Sequence, residues 1–129
     1  MDSVFSGFTG RDEELRKVKR YGGIDRMFYR TDLFIHQKRV HAILEELKDV
    51  IQETYGAEVN SQLMFTLALV HDDAEILTGD VQLRDKVLMS KEQTDKLQEQ
   101  EMQAIEELSH RWPAKLNGFS YKQLLLHVL

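Results

Sequence analysis

The 129-residue chain has no cysteine and a single proline. Without cysteine there are no disulfides and no thiol catalysis, and a cytoplasmic location is the expectation. One proline and seven glycines supply too little turn chemistry for a many-stranded β-fold. No run approaches the ~18 consecutive apolar residues of a membrane span, so no membrane association is expected. The opening MDSVFSGFTG lacks the apolar core of a signal peptide. Positive charge is also short. Seventeen Lys and Arg stand against 22 Asp and Glu, a net charge of −5, which argues against a dedicated nucleic-acid surface. A small phosphorylated substrate stays open, because local arginines and a bound cation can offset that balance. What remains, 42% hydrophobic and 30% charged residues, suits one folded domain spanning 1–129. With no repeats and no convincing strands, the expected fold class is all-α, a compact multi-helix bundle.

The chain centres on LMFTLALVHDDAEILTGD, Leu63 to Asp80. Leu63 to Val70 is apolar on every side except at Thr66, which predicts a helix running through the middle of the domain. His71, Asp72, Asp73 and Glu75 follow directly on its end. Charges carried inward by such a helix are costly unless paired, and a cation is the most economical partner. On one continuous helix, Asp72 and Glu75 are three apart and His71 and Glu75 four apart, so they share a flank. Gly79 is placed to end that helix in a left-handed cap.

Elsewhere the reading is helical. Arg11 to Arg20 predicts a short charged helix stopped by Gly22-Gly23, with its basic end a solvated face. Thr31 or Asp32 is placed to cap a helix running to about Tyr55, with Val40, Ile43, Leu47 and Val50 as its buried stripe. His36, four residues before Val40, belongs to the inward face, whereas His41 falls off it. A tight connection around Gly56 and Asn60 makes this helix antiparallel to the next, bringing His36 towards His71 and Asp72. After a polar connection, a helix from about Lys91 to His110 buries a seam of Leu97, Met102, Ile105 and Leu108. Trp112-Pro113 closes it, Asn117-Gly118 turns the chain, and Ser120 caps YKQLLLHVL. His110 and His127 have no partners at readable spacing and are read as structural. Asp73 is expected at the surface, with support of a ligand histidine as the alternative.

With His36, then His71-Asp72, Glu75 and Thr78-Gly79-Asp80, the chain resembles the HD-domain metal-dependent phosphohydrolases. Within them it is similar to the 5′-deoxynucleotidase branch, whose HD-x-x-E-x-L-T-G-D stretch is present as HDDAEILTGD. The resemblance runs from roughly residue 24 to the end. It implies that His36, His71 and Asp72 are three of four metal ligands and that Glu75 assists the attacking water. It also implies that Thr78 and Asp80 lie near the nucleotide sugar. Arg20, Tyr21, Arg26 and Arg30 are candidates for the remaining substrate contacts. Two features depart from the family pattern. Phe34-Ile35 precede the first histidine where an Ala-Glu pair is usual, and the fourth ligand, an aspartate on a later helix, is expected beyond Leu129. Asp80, Asp85 and Asp95 do not match it.

Two imidazoles and a carboxylate form a mixed nitrogen and oxygen donor set that accepts one divalent Mn, Fe, Co, Ni or Zn. The expectation is a phosphohydrolase acting on nucleoside 5′-monophosphates or a related small ester. A helical binding domain with an incomplete metal site is the alternative. Leu124, Leu125, Leu126, Val128 and Leu129 are expected to be exposed, with the C-terminal helices that would cover them lacking, and to drive homo-oligomer formation.

Overall fold

The computed structural model describes residues 4–20, 31–56, 59–79 and 83–128. They form an all-α bundle with one small hairpin: α1 Arg11–Lys17, α2 Leu33–Tyr55, α3 Ser61–Val70, α4 Glu75–Thr78, α5 Leu83–Leu88 and α6 Lys91–Arg111. Then come β1 Lys115–Leu116, β2 Phe119–Ser120 and α7 Tyr121–His127. None of these helices is long and apolar enough to cross a membrane.

Local chemistry sets the helix ends. Asp32 caps α2 by accepting from the Ile35 amide at 2.9 Å, and Asn60 caps α3 by accepting from the Leu63 amide at 3.1 Å. Ser90 and Gln93 form a reciprocal capping box at the start of α6. Asn117 and Gly118, with φ of 51° and 83°, make the turn of a two-residue hairpin. This adds the short antiparallel pair β1–β2, where the sequence suggested only a turn. The polar connection after Asp80 likewise contains a helix, α5.

The core gathers where α3, α6 and α7 meet the N-terminal segment. Phe8, Val70, Leu108, Trp112, Tyr121 and Leu125 are all buried there. Trp112 donates its indole N–H to the Thr9 carbonyl at 3.0 Å, tying the chain start to the end of α6. The Phe8 and Tyr121 rings meet edge to face at 5.1 Å. Leu124 and Leu125 are buried in this cluster and Leu126 packs against it. These three leucines of the expected exposed patch are therefore covered, because α7 folds back onto α3 and α6; Val128 is 42% exposed, and Leu129 lies outside the described residues.

Apolar surface is exposed on α2 instead. Ile43, Leu47 and Val50 are 55%, 45% and 58% exposed, which corrects the stripe expected to be buried. Only Leu33 and Gln37 of α2 are buried, since its N-terminal end alone reaches the interior. Val40 and Leu44 line an open apolar groove with Leu63, Met64 and Leu67 of α3. Helix α3 packs between α2 and α7, and Thr66, the polar residue inside its apolar stretch, is buried. The Thr66 hydroxyl donates to the Gln62 carbonyl at 2.7 Å and accepts from Asn117 at 3.2 Å. On α6, Ile105 and Leu108 are buried with Ala104, whereas Met102 is 45% exposed, so the seam is rotated from the expected one. At the basic end of α1, Arg16 and Lys17 are exposed as expected, whereas its first residue, Arg11, is only 3% exposed.

Candidate metal centre

Helices α2 and α3 run antiparallel. The Gln52 amide meets the Ser61 hydroxyl at 2.9 Å at one end, and His36 meets His71 at the other. The long helix expected through Thr78 is broken just here. After Val70 the bonding tightens, with the Asp73 amide on the Val70 carbonyl and the Glu75 amide on the Asp72 carbonyl, both at 2.9 Å. Helix α4 then restarts at Glu75 and ends at Gly79, whose φ of +81° favours glycine, although its ψ of 169° is not that of a left-handed helical cap. The tightened turn rotates successive side chains apart, sending Asp72 outward to the histidines and Asp73 inward.

Three donor atoms converge. His36 Nε2, His71 Nε2 and Asp72 Oδ2 form a triangle with every edge 3.2 Å. Ligand atoms ~2.0–2.2 Å from a tetrahedral ion sit roughly 3.3–3.6 Å apart, so the spacing is close to what a transition metal needs. The histidines present the correct atoms for it. His71 Nδ1 lies 2.8 Å from the Ala68 carbonyl, and donating its N–H there leaves the Nε2 lone pair facing the other two donors. All three side chains are half-buried, which limits competition from bulk water.

Electrostatics couples the group. Burial pulls the His71 imidazole down, but the hydrogen bond and charge of Asp72 outweigh it and leave His71 above its usual value. Burial pushes Asp72 up, while the hydrogen bond and charge of His71, the charge of His36 and a hydrogen bond from Glu75 hold it below the usual carboxylate range. That last contact places Glu75 beside the donor triangle.

Beneath the triangle lies a polar cluster that sequence reading missed. Asp73, expected at the surface, is fully buried. Arg11 donates through Nε to Asp73 Oδ2 and through Nη2 to Oδ1, both at 2.8 Å. Gln37 Nε2 donates to Oδ1 at 3.0 Å and the Tyr121 hydroxyl to Oδ2 at 2.6 Å. Four donors thus satisfy the carboxylate, as a charge in the interior requires. Burial and then Asp73 push the Tyr121 phenol far above its usual range, so it remains an O–H donor. Gln37 also works on the ligand itself: its Oε1 accepts from the Asp72 amide at 2.8 Å. One side chain, next to His36 in sequence, therefore fastens the His71-Asp72 backbone to α2. A polar residue four positions after Leu33, on the buried spacing, was the available signal for Gln37. Arg11 and Tyr121 carry no local signal, since their partner lies 62 and 48 residues away.

The other candidates are scattered. The Thr78 hydroxyl stays with local backbone, 3.3 Å from the Gly79 carbonyl and 3.5 Å from that of Ala74. Arg20 is half-buried, and its amide donates to the Thr31 carbonyl at 2.7 Å. Asp80, Tyr21, Arg26 and Arg30 lie outside the described residues, as do Gly22 and Gly23. His41 is half-buried beside Phe65 and Glu45, while His110 and His127 are exposed, and none of the three belongs to the donor group.

Residues 8–128 match the family model of the YfbR-like 5′-deoxynucleotidases. The chain belongs to this family. No curated protein and no solved structure matches it. For a YfbR-like chain, a hydrolase of the phosphohydrolase type is the expected class. The family also implies metal dependence, and a His-His-Asp group capable of holding an ion is present.

Proposed function

We propose that the chain is a divalent-metal-dependent phosphohydrolase that releases phosphate from deoxynucleoside 5′-monophosphates. The observation that carries this reading is the 3.2 Å triangle of His36, His71 and Asp72 donor atoms within a 5′-deoxynucleotidase family member. In this reading the three residues hold one Mn, Fe, Co, Ni or Zn ion. Such an ion supplies a Lewis acid for a phosphoryl oxygen and lowers the pKa of water from 15.7 towards ~7.

The chain's own residues do the rest. The Ala68 carbonyl fixes the tautomer of His71, and Gln37 fixes the backbone of Asp72, so the donors are preorganised. Glu75, next to Asp72, takes a proton from the attacking water as the new P–O bond forms. It returns that proton to the 5′ oxygen as the ester P–O bond breaks, which yields nucleoside and phosphate. Thr78 and Asp80 are assigned to the sugar, and Arg20 and Arg26 to the phosphate end of the substrate.

The test combines metal analysis with phosphate release from dAMP and its 3′ isomer. About one transition metal per chain and metal-dependent turnover of the 5′ ester are expected. A chain that binds no metal and releases no phosphate would be a helical binding domain.

A further inference from the structure

A cavity of about 1090 Å³ lies between the N-terminal segment, α1, α2 and α3, and none of the three metal donors lines it. Phe5, Phe8, Phe34 and Phe65 supply its aromatic surface, with Leu15 and Leu69 beside them. Apolar rings joined by a few polar groups around a volume of this order have the character of a small-molecule site. Its buried wall is formed by Arg11 and Gln37, 3% and 2% exposed. Hydrogen bonds to Asp73 and to the Asp72 amide already fix that wall, so the cavity is formed whether or not a metal is bound.

The charged groups on its border say what enters. The Arg16 guanidinium stands 4.1 Å from the centre of the Phe34 ring, and the Lys38 ammonium 4.4 Å from the same centre. Two cations on one ring repel each other, and among the described residues neither makes an ion pair. An oxyanion between them relieves that repulsion, and the planar fork of Arg16 matches a carboxylate. Two acids of the border are engaged elsewhere: Asp12 is 3.8 Å from Arg11 and Glu45 is 3.5 Å from His41. Together with Glu13 they disfavour a second negative charge in the cavity. We propose that this cavity binds an aromatic monocarboxylate, with its rings among the phenylalanines and its carboxylate between Arg16 and Lys38.

Naphthoate is the probe, followed by ligand-observed NMR on the full chain in EDTA, so that the result depends on neither metal binding nor turnover. A Kd of ~0.1–1 mM is expected for a ligand of this size. Naphthylmethanol, which keeps the rings and loses the charge, should bind about tenfold more weakly. The same loss is expected for naphthoate with the Arg16→Gln or Lys38→Gln variant, each changed at an exposed position. Ala42→Trp, at another exposed position on the lining, should fill the space and abolish binding, with its fold checked by circular dichroism. Naphthyl phosphate should bind no more tightly than naphthoate, and added Mn²⁺ should not displace naphthoate. No binding below ~10 mM, equal binding of acid and alcohol, charge variants that bind normally, or an unaffected Ala42→Trp variant would each overturn the assignment. So would a preference for the phosphate or displacement by Mn²⁺, which would put the ligand at the metal centre.

Discussion

Replacing Asp73 by Asn keeps the shape of the buried side chain and removes its charge. Arg11, 3% exposed, would then lack its main counter-charge. The carboxylate now accepts from Arg11 Nε and the Tyr121 hydroxyl on one oxygen, and from Arg11 Nη2 and Gln37 on the other. An amide has only one oxygen. Its NH2 group fits best towards Tyr121, whose hydroxyl can turn to accept, and there it opposes the Arg11 Nε–H. Removing one partner of a buried ion pair costs ~3–5 kcal/mol. Asp12, 3.8 Å from Arg11 Nη1, remains as a weak substitute and sets the expectation near the lower end, about 3 kcal/mol. For a chain this size that lowers Tm by about 10 °C, a large part of a typical 5–15 kcal/mol total stability. Urea unfolding monitored by circular dichroism should show a lower midpoint at unchanged m. Arg11→Met with Asp73→Asn should cost less than the two changes added, because no charge is then stranded. A loss below ~1 kcal/mol, or simple additivity of the pair, would refute the assignment of this cluster as the anchor of the site.

Gln37→Leu should lower metal affinity about 10–100-fold, measured by titration calorimetry, although Gln37 is none of the three donors; unchanged affinity would show that the Asp72 backbone needs no such brace. Glu75→Gln should keep its metal and lose ~10²–10⁴-fold in turnover, and undiminished phosphate release would leave Glu75 a purely structural role. In the metal-free protein, His71 lies above its ordinary 6.5, so its contribution to stability is full below pH 6.5 and fades as pH rises through the folded value. Asp72 lies below its ordinary 3.8, so its contribution is full above pH 3.8 and fades as pH falls through the folded value. The Tm gained on adding Zn²⁺ or Mn²⁺ should therefore grow as pH is raised above 6.5, because protons and metal compete for the same lone pairs. A metal-induced shift independent of pH between 5 and 8 would contradict that competition.

What could be read along the chain was what depends on neighbours in sequence. Asp32 and Ser120 as caps, the tight connection around Gly56 and Asn60 and the turn at Asn117-Gly118 follow from short-range chemistry, and with them the all-α class. The antiparallel hairpin, and so the approach of His36 to His71 and Asp72, also followed, because a short connection leaves two helices little else to do. Tertiary structure alone decided which faces are covered. Helical spacing marks an apolar stripe on α2 but cannot say that the core forms on the far side of α3, where Leu108, Tyr121 and Leu125 supply the volume. It likewise placed Asp73 at the surface, since an acidic residue beside another acidic residue carries no sign of an arginine 62 positions earlier. The tightened turn after Val70 turns Asp72 out and Asp73 in, and Arg11, Gln37 and Tyr121 make that inward turn affordable. Burial of a charge depends on partners brought together in space, and no local pattern records them.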